Sequence, residues 1–387
     1  MKILHICAQR PAFSSGGELC VYQSHYALTN LYSEVDYAGP QIKNEEIENK
    51  YKKCYYLDSP ITKFTKLRTL AHFQFDRAYP NWKNAHIQFD KYDVIYIEFT
   101  KMDYVIKDIL KSGFKGKIIV RAHNVETDFY RIEYENDRTI LRLLKYKFSR
   151  SRENYMLQKA DRILAITDQD KKTFMDTYEL PDEKIVVFPV GVNQDNFESE
   201  ITGKINEKLN CLITGSLWFG PNSDGAKWFI KQVWPHVKNI CTLTLAGSNP
   251  SEEIKKLCEN ENIEIKESPE SMVPYFEKAD MVLAPVFSGA GMKVKIAEAM
   301  SYGLPIVTTE HGAIGYKISN GVDGYICKTP DEFADAIIRY YNMSEIERCE
   351  FLKRERKLYK ENYSLNAIKD KVEKIVQEVI VFKGNER

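Results

Sequence analysis

What this chain of 387 residues lacks narrows its chemistry first. None of its eight cysteines forms a C-x-x-C pair, and none clusters with histidine at zinc spacing. The cysteines, at positions 7, 20, 54, 211, 241, 258, 327 and 349, therefore read as reduced core thiols of a cytosolic protein. Net charge is also absent: Lys+Arg and Asp+Glu both number 55, so no global field draws in nucleic acid, and any anion needs a local site. No window approaches 18 consecutive apolar residues, so no segment is expected to span a membrane. The run Met1 to Cys7 is interrupted by His5 and followed by Gln9-Arg10, which suits a first strand rather than a signal peptide. Short-period repeats and low-complexity tracts are missing too.

What is present is abundant material for burial. Aromatic residues make up 12% of the chain, and its length suits two α/β domains of roughly 200 residues each. Short β-branched runs alternate with helical stretches, the pattern of βαβ units and parallel sheets. In the first half strands are expected at about 2–7, 35–38, 93–99, 117–123, 162–167 and 185–190, with a helix from about Gln169. In the second half they are expected at about 211–214, 242–246, 263–266, 281–285, 305–308 and 324–327. The polar stretch Asp195 to Lys208 between the halves reads as a linker. Domains are therefore expected at 1–195 and 196–364. A terminal helix over 365–387, apolar at Ile368, Val372, Ile375, Val376 and Val379, would pack back on the first domain.

The most informative segment runs from Ser288 through Gly289-Ala290-Gly291-Met292-Lys293-Val294-Lys295 to Glu298, and on to Gly303 and a further strand. Glycines at the carboxyl end of a parallel strand let backbone N–H groups approach a phosphate, and the following helix N-terminus adds positive potential. Lys293 and Lys295 fall in the first turn, where the macrodipole disfavours a cation, and a bound anion would resolve that conflict. Glu298 is placed to accept hydrogen bonds from a ribose diol. The bland alternatives are solvated lysines, a glycine turn, and a surface pair between Glu298 and Lys295.

This segment, closing on Gly303-Leu304-Pro305-Ile306-Val307-Thr308, resembles the donor-binding motif of the family 4 retaining glycosyltransferases. The resemblance continues through Gly215-Ser216-Leu217-Trp218-Phe219-Gly220-Pro221-Asn222, Leu245-Ala246-Gly247-Ser248 and Tyr275 to Asp280. In the first half it includes Gly16-Gly17, Ala122-His123-Asn124-Val125-Glu126, Thr167-Asp168-x-Asp170 and Pro189 to Asn193. It covers nearly the whole chain in order. It implies an α/β architecture of two Rossmann-like domains facing across a cleft, the GT-B fold. It also implies transfer of a hexose from a nucleotide-diphosphate sugar, UDP- or GDP-linked, to a glycan or lipid-linked acceptor with retention of configuration. The setting would be cell-surface polysaccharide or lipopolysaccharide assembly, in the cytoplasm or on the inner face of the membrane, and nucleic acid plays no part.

The family's two-glutamate motif is incomplete here: its first position falls at Ala290, leaving Glu298 alone, as in a subgroup with small residues there. Backbone amides of Ala290, Gly291 and Met292 would then hold the sugar hydroxyls. Where many relatives place an arginine and a lysine on the diphosphate, this chain has Ser216 and Asn222 beside Gly215, so Lys293 and Lys295 would supply the charge. The resemblance sets His123 on the donor sugar, and Gly16-Gly17 in a loop before a helix beginning near Glu18. The implied transition state is oxocarbenium-like, with nucleophile and leaving diphosphate on one face of the sugar, so no side-chain nucleophile is needed. No D-x-D stands at a predicted strand end, and Asp168-x-Asp170 reads as helix capping, which together point to a metal-independent enzyme without a cofactor.

One segment has two open readings. Arg138 to Arg152 interleaves Arg138, Arg142, Lys145, Lys147, Arg150 and Arg152 with apolar residues, either a core-facing helix or a basic face for an anionic bilayer. Two competing functions also stand: a nucleotide-sugar epimerase of the same fold, and a non-catalytic subunit that binds a partner or a glycan.

Overall fold

A computed structural model describes residues 1–13, 15–58, 79–192, 203–204, 207–289 and 291–381. The chain divides into two compact units, Met1–Pro189 with Ile368–Arg387, and Val190–Ala367. Most of the polar stretch 195–208 and the whole of Ala290 lie outside the described residues.

The first unit holds seven strands: β1 (Lys2–Cys7), β2 (Glu34–Gly39), β3 (Lys53–Tyr56), β4 (Val94–Glu98), β5 (Lys117–Ala122), β6 (Arg162–Ala165) and β7 (Ile185–Val187). They pair in parallel in the order β3-β2-β1-β4-β5-β6-β7. Because helices cover both faces, the central strands are apolar without alternation, and Ile3, Leu4, Ile6, Val94, Ile95 and Ile97 are fully buried. One face packs under Met102, Val105, Ile106, Met156 and Phe174. On the other, the helix Leu365–Val381 presents Ile368, Val372, Ile375, Val376 and Val379, a helical-period stripe, to Ile3, Val35, Tyr37 and Tyr96. Strand β3 has no counterpart among the sequence expectations, because Lys-Cys-Tyr-Tyr at the sheet edge is only half-buried and carries no aliphatic run.

The second unit repeats the plan with β8 (Leu209–Thr214), β9 (Cys241–Gly247), β10 (Glu264–Glu267), β11 (Met281–Ala284), β12 (Ile306–Thr309) and β13 (Tyr325–Cys327). Its order is β10-β9-β8-β11-β12-β13, again parallel throughout. In each sheet the order reverses once, between β1 and β4 and between β8 and β11. Ligands of open α/β sheets sit outside the carboxyl ends at such a switch point. Two Rossmann-like units in one α/β chain are thus the observed architecture.

One expectation is corrected here, and the basic segment takes a definite form. Gly16 and Gly17 are not a loop before a helix: they open the helix Gly16–Leu31, which Ser15 caps by accepting from the Glu18 N–H at 3.3 Å. The basic segment is helical over Ile140–Lys159, and its apolar residues grade along the helix, with Leu143, Leu144, Tyr146 and Phe148 half-buried and Met156 and Leu157 in the core. Ile140 is 79% and Leu141 48% exposed, and only Glu153, Met156 and Leu157 of this helix are buried. At 100° per residue the apolar positions 140, 141, 143, 144 and 148 fall within one arc of about 160°, with Tyr146 outside it. Among the described residues, no helix is long and apolar enough to cross a membrane.

One buried group costs the second unit stability. Glu355, on the helix Glu345–Asn362, is fully buried, and neither carboxyl oxygen has a partner among the described residues. Burial, then the nearby Asp323 charge, pushes its carboxyl well above the usual range. The folded state therefore holds this proton more tightly than the unfolded chain does. Stability from this group is complete below the ordinary glutamate value and is lost as pH rises toward the raised one. Glu355→Leu is expected to stabilise the protein by about 1–3 kcal/mol at neutral pH. Thermal melts of parent and variant at pH 5 and pH 8 check this, because the gain must be larger at pH 8.

Candidate functional site

In the second unit, β8 and β11 flank the switch point, and a glycine-bearing loop follows each. Gly215 adopts φ +131°, and a Cβ there would lie 2.9 Å from Asn222 Nδ2 and 3.0 Å from Lys295 Nζ. Gly289 adopts φ +102°, and a Cβ there would lie 3.7 Å from Pro221 Cγ at the start of the helix Gly220–Gln232. The two loops thus meet, and neither of these positions accepts a side chain without strain.

Each loop is held by one lysine. Lys293, the N-cap of the helix Val294–Ser301, donates from Nζ to the Gly289 and Gly291 carbonyls, both at 2.8 Å. Lys295 donates to the Thr214 carbonyl and to Asn222 Oδ1, both at 2.7 Å, and Asn222 Nδ2 donates to the Ser216 carbonyl at 3.2 Å. Neither the helix Gly220–Gln232 nor the helix Val294–Ser301 is capped by the side chain of its N-cap residue, although the Ala297 N–H donates to the Tyr316 hydroxyl at 3.2 Å, so both turn the positive end of the helix dipole toward the loops. Thr214 Oγ1, at the end of β8, is buried without a partner among the described residues. Burial lowers the Lys295 amine to about 8, with Glu298 opposing and Lys293 reinforcing the shift. Burial likewise raises the Glu298 carboxyl, and Lys295 opposes it. Met292 is buried, and its Sδ accepts from the Val190 N–H at 3.3 Å. Lys293, Lys295, Gly215, Ser216, Asn222, Gly289 and Gly291 are therefore brought together, with Met292 and Glu298 on the same segment. The arrangement offers N–H groups and amines to a phosphate-sized anion.

In the first unit, His123 follows β5 and is buried beside the end of β4. Its Nε2 is hydrogen-bonded to Glu98 Oε2, and its Nδ1 is buried without a partner among the described residues. Phe99 stacks on the ring at a centroid distance of 3.7 Å and does so at φ +77°, a strained conformation for an aromatic residue. Glu98, fully buried, also receives His5 Nε2 on Oε1 at 3.3 Å, and His5 Nδ1 meets the Tyr51 hydroxyl at 2.9 Å. Arg121, fully buried, donates to Ser24 Oγ and to Gln23 Oε1, both at 2.9 Å. Burial alone would raise the Glu98 carboxyl, but His123, His5 and Arg121 hold it below the usual range. For His123, burial lowers the imidazole, with Arg121 and Lys101 reinforcing the shift and Glu98 opposing it.

Glu98 was absent from the sequence expectations. The only signal for it is register: Cys7, Glu98 and Arg121 stand abreast on β1, β4 and β5. Asp168 and Asp170 occupy the first turn of the helix Asp168–Tyr178, where Thr167 caps the Asp170 N–H at 3.0 Å and donates to its carboxylate at 2.8 Å. Glu153 caps another helix start, accepting from the Glu126 and Thr127 N–H groups at 3.0 Å each. Among the described residues, no group of three or more His, Cys, Asp or Glu is placed to hold a metal.

Comparison with known proteins agrees with this arrangement. Residues 14–196 match the profile described as Glycosyltransferase Family 4, and residues 208–343 match that described as Glycosyl transferases group 1. An uncharacterized 44.6 kDa protein in the cps region of Klebsiella pneumoniae is 25% identical over 281 residues, covering 67% of this chain and 69% of that one. The amylovoran biosynthesis glycosyltransferase AmsK of Erwinia amylovora is 32% identical over 99 residues, 24% of this chain and 20% of its own. Among solved structures, HepE of Anabaena in complex with UDP is similar at a TM-score of 0.66 and 13% identity, over 98% of this chain and 100% of that one.

Proposed function

We propose, from the premise that this chain belongs to the group 1, family 4 glycosyltransferases, that it moves a hexose from a UDP- or GDP-sugar to a glycan or lipid-linked acceptor with retention of configuration. The product would be a cell-surface polysaccharide or lipopolysaccharide, a reading supported by one relative being named for a cps region and another for amylovoran biosynthesis. The observation that carries this reading is the pair of glycine loops at the β8/β11 switch point, each bridged by a lysine and each leading into a helix that the side chain of its N-cap residue does not cap. On this reading the diphosphate displaces carbonyl contacts of Lys293 and Lys295, and the N–H groups of Ser216, Gly289, Gly291 and Met292 take its oxygens. Asn222 acts through Lys295 rather than on the donor. Glu298 receives the ribose diol, and His123 a hydroxyl of the sugar. The leaving diphosphate gathers charge as the glycosidic bond breaks, and the amines stabilise it where it forms.

A donor screen tests this. A UDP- or GDP-sugar at about 100 times its Kd is expected to stabilise the protein by about 2.7 kcal/mol, and to do so unchanged in excess EDTA. A donor series with no thermal shift would contradict the donor assignment. A shift or turnover abolished by chelator and restored by magnesium or manganese would contradict metal independence.

The exposed tip of the first unit supports a peripheral membrane location on the cytoplasmic face. Ile140 and Leu141 are exposed beside Arg138, Lys147 and Arg150, with Phe129 and Ile132 exposed on the neighbouring helix Glu126–Asn136. Such a surface inserts apolar side chains while its cations meet anionic headgroups, at about 1 kcal/mol per Lys or Arg near the surface. Cosedimentation with anionic vesicles, weakened by salt and by Ile140→Glu, is the expected result. Equal partition to neutral and anionic vesicles would contradict it.

A further inference from the structure

We propose that Glu98 is a positioning residue that holds His123 as the Nε2–H tautomer, so that the ring presents Nδ1 as a hydrogen-bond acceptor to a hydroxyl of the transferred sugar. The proposal rests on the donor-sugar reading of His123 given above.

The order of protons along the buried chain follows from its members. The Tyr51 hydroxyl lies 2.9 Å from His5 Nδ1, and His5 Nε2 lies 3.3 Å from Glu98 Oε1. An ionised carboxylate only accepts, so both imidazoles facing it must donate through Nε2. In a singly protonated His5, Nδ1 is then the lone pair, which the Tyr51 hydroxyl fills by donating. His123 has the same constraint at Nε2, bonded to Glu98 Oε2, but among the described residues nothing fills its Nδ1. A buried acceptor without a partner costs free energy that an incoming hydroxyl recovers. The ring cannot turn to find another partner, because Phe99 stacks on it at 3.7 Å. Glu98 in turn sits between β1 and β5, where the register places Cys7 and Arg121 beside it, and the fully buried Arg121 guanidinium keeps a positive charge near the carboxylate.

The carboxylate, and not merely the shape, carries this role. In Glu98→Gln the amide has one accepting and one donating end. Keeping the Tyr51 donation to His5 Nδ1 requires the amide oxygen to face His5, which leaves the NH2 facing His123. His123 Nε2 must then accept, and its proton moves to Nδ1, turning an acceptor toward the sugar into a donor.

The test uses the full chain with ring-15N-labelled histidine, the seven resonances assigned with a His123→Gln variant. The parent is expected to show His123 protonated at Nε2, and Glu98→Gln to show it protonated at Nδ1. Turnover of the variant is expected to fall about tenfold or more, with free-nucleotide affinity unchanged. A parent spectrum with the proton on Nδ1, or with both nitrogens protonated at neutral pH, overturns the proposal, and that spectrum decides even if the variant fails to fold. Full turnover in a folded Glu98→Gln overturns it as well. Full turnover in His123→Ala would instead remove the sugar role of His123 itself while leaving the measured tautomer intact, so the two failures are told apart.

Discussion

Lys295→Ala and Lys293→Ala are each expected to lower donor turnover at least tenfold. A charge-assisted contact is worth about 1.5–3 kcal/mol, and each 1.4 kcal/mol is about a factor of ten in rate. The two variants should differ in cause. Lys293 bridges Gly289 and Gly291 within one loop, whereas Lys295 ties the end of β8 to Asn222 at the start of another helix. Loss of Lys295 thus also loosens the 214–222 segment, so Lys295→Met, which keeps the stem, belongs beside the alanine variant. The charge itself has a pH signature. The Lys295 amine, lowered to about 8, is a cation below that value, so nucleotide affinity is expected to be full below pH 8 and to decline above it. The methionine variant should bind weakly and without that decline. Parent-like turnover in both alanine variants would place the anion elsewhere.

His123→Ala is expected to lower the rate of transfer at least tenfold while leaving affinity for free nucleotide near that of the parent. Base, ribose and diphosphate are assigned to the second unit, so the histidine contributes only when a sugar is attached. An interaction stronger in the transition state than in the ground state lowers the rate itself. A purely structural histidine behaves differently: removal frees the Glu98 carboxylate from one donor and lowers the melting temperature, with normal turnover by the folded fraction. Nucleotide affinity, melting temperature and turnover on one preparation separate the two, and a destabilised but fully active variant removes His123 from the site.

Much of the fold is legible in the sequence for one physical reason. Strands buried on both faces, such as β1, β4, β5, β6, β8 and β11, must be continuous apolar runs, and such runs survive inspection without knowledge of their neighbours. The edge strand β3 escapes because half of it faces water and its tyrosines and lysine read equally well as loop. The glycine loops and their lysines are legible because left-handed backbone and a cation at a helix start are both anomalies along the chain. What holds those lysines is not, since the Thr214 carbonyl and Asn222 lie 81 and 73 residues away from Lys295. Glu98 is hidden in the same way: only pairing of β4 with β1 and β5 sets it between His5 and His123, 93 and 25 residues distant. The basic helix illustrates the converse limit, because its periodicity betrays a helix but not which side meets a partner, and its apolar residues run from exposed at Ile140 and Leu141 to buried at Met156 and Leu157.

The central claim is transfer of a sugar by this chain, and one measurement addresses it most directly. The purified protein, supplied with the nucleotide-sugar that raises its melting temperature, is followed by NMR with and without a glycan or lipid-linked acceptor. The account predicts nucleotide release only when acceptor is present, and a product whose new glycosidic bond has the anomeric configuration of the donor. Nucleotide released or the sugar epimerised without acceptor, or a product of inverted configuration, would contradict it.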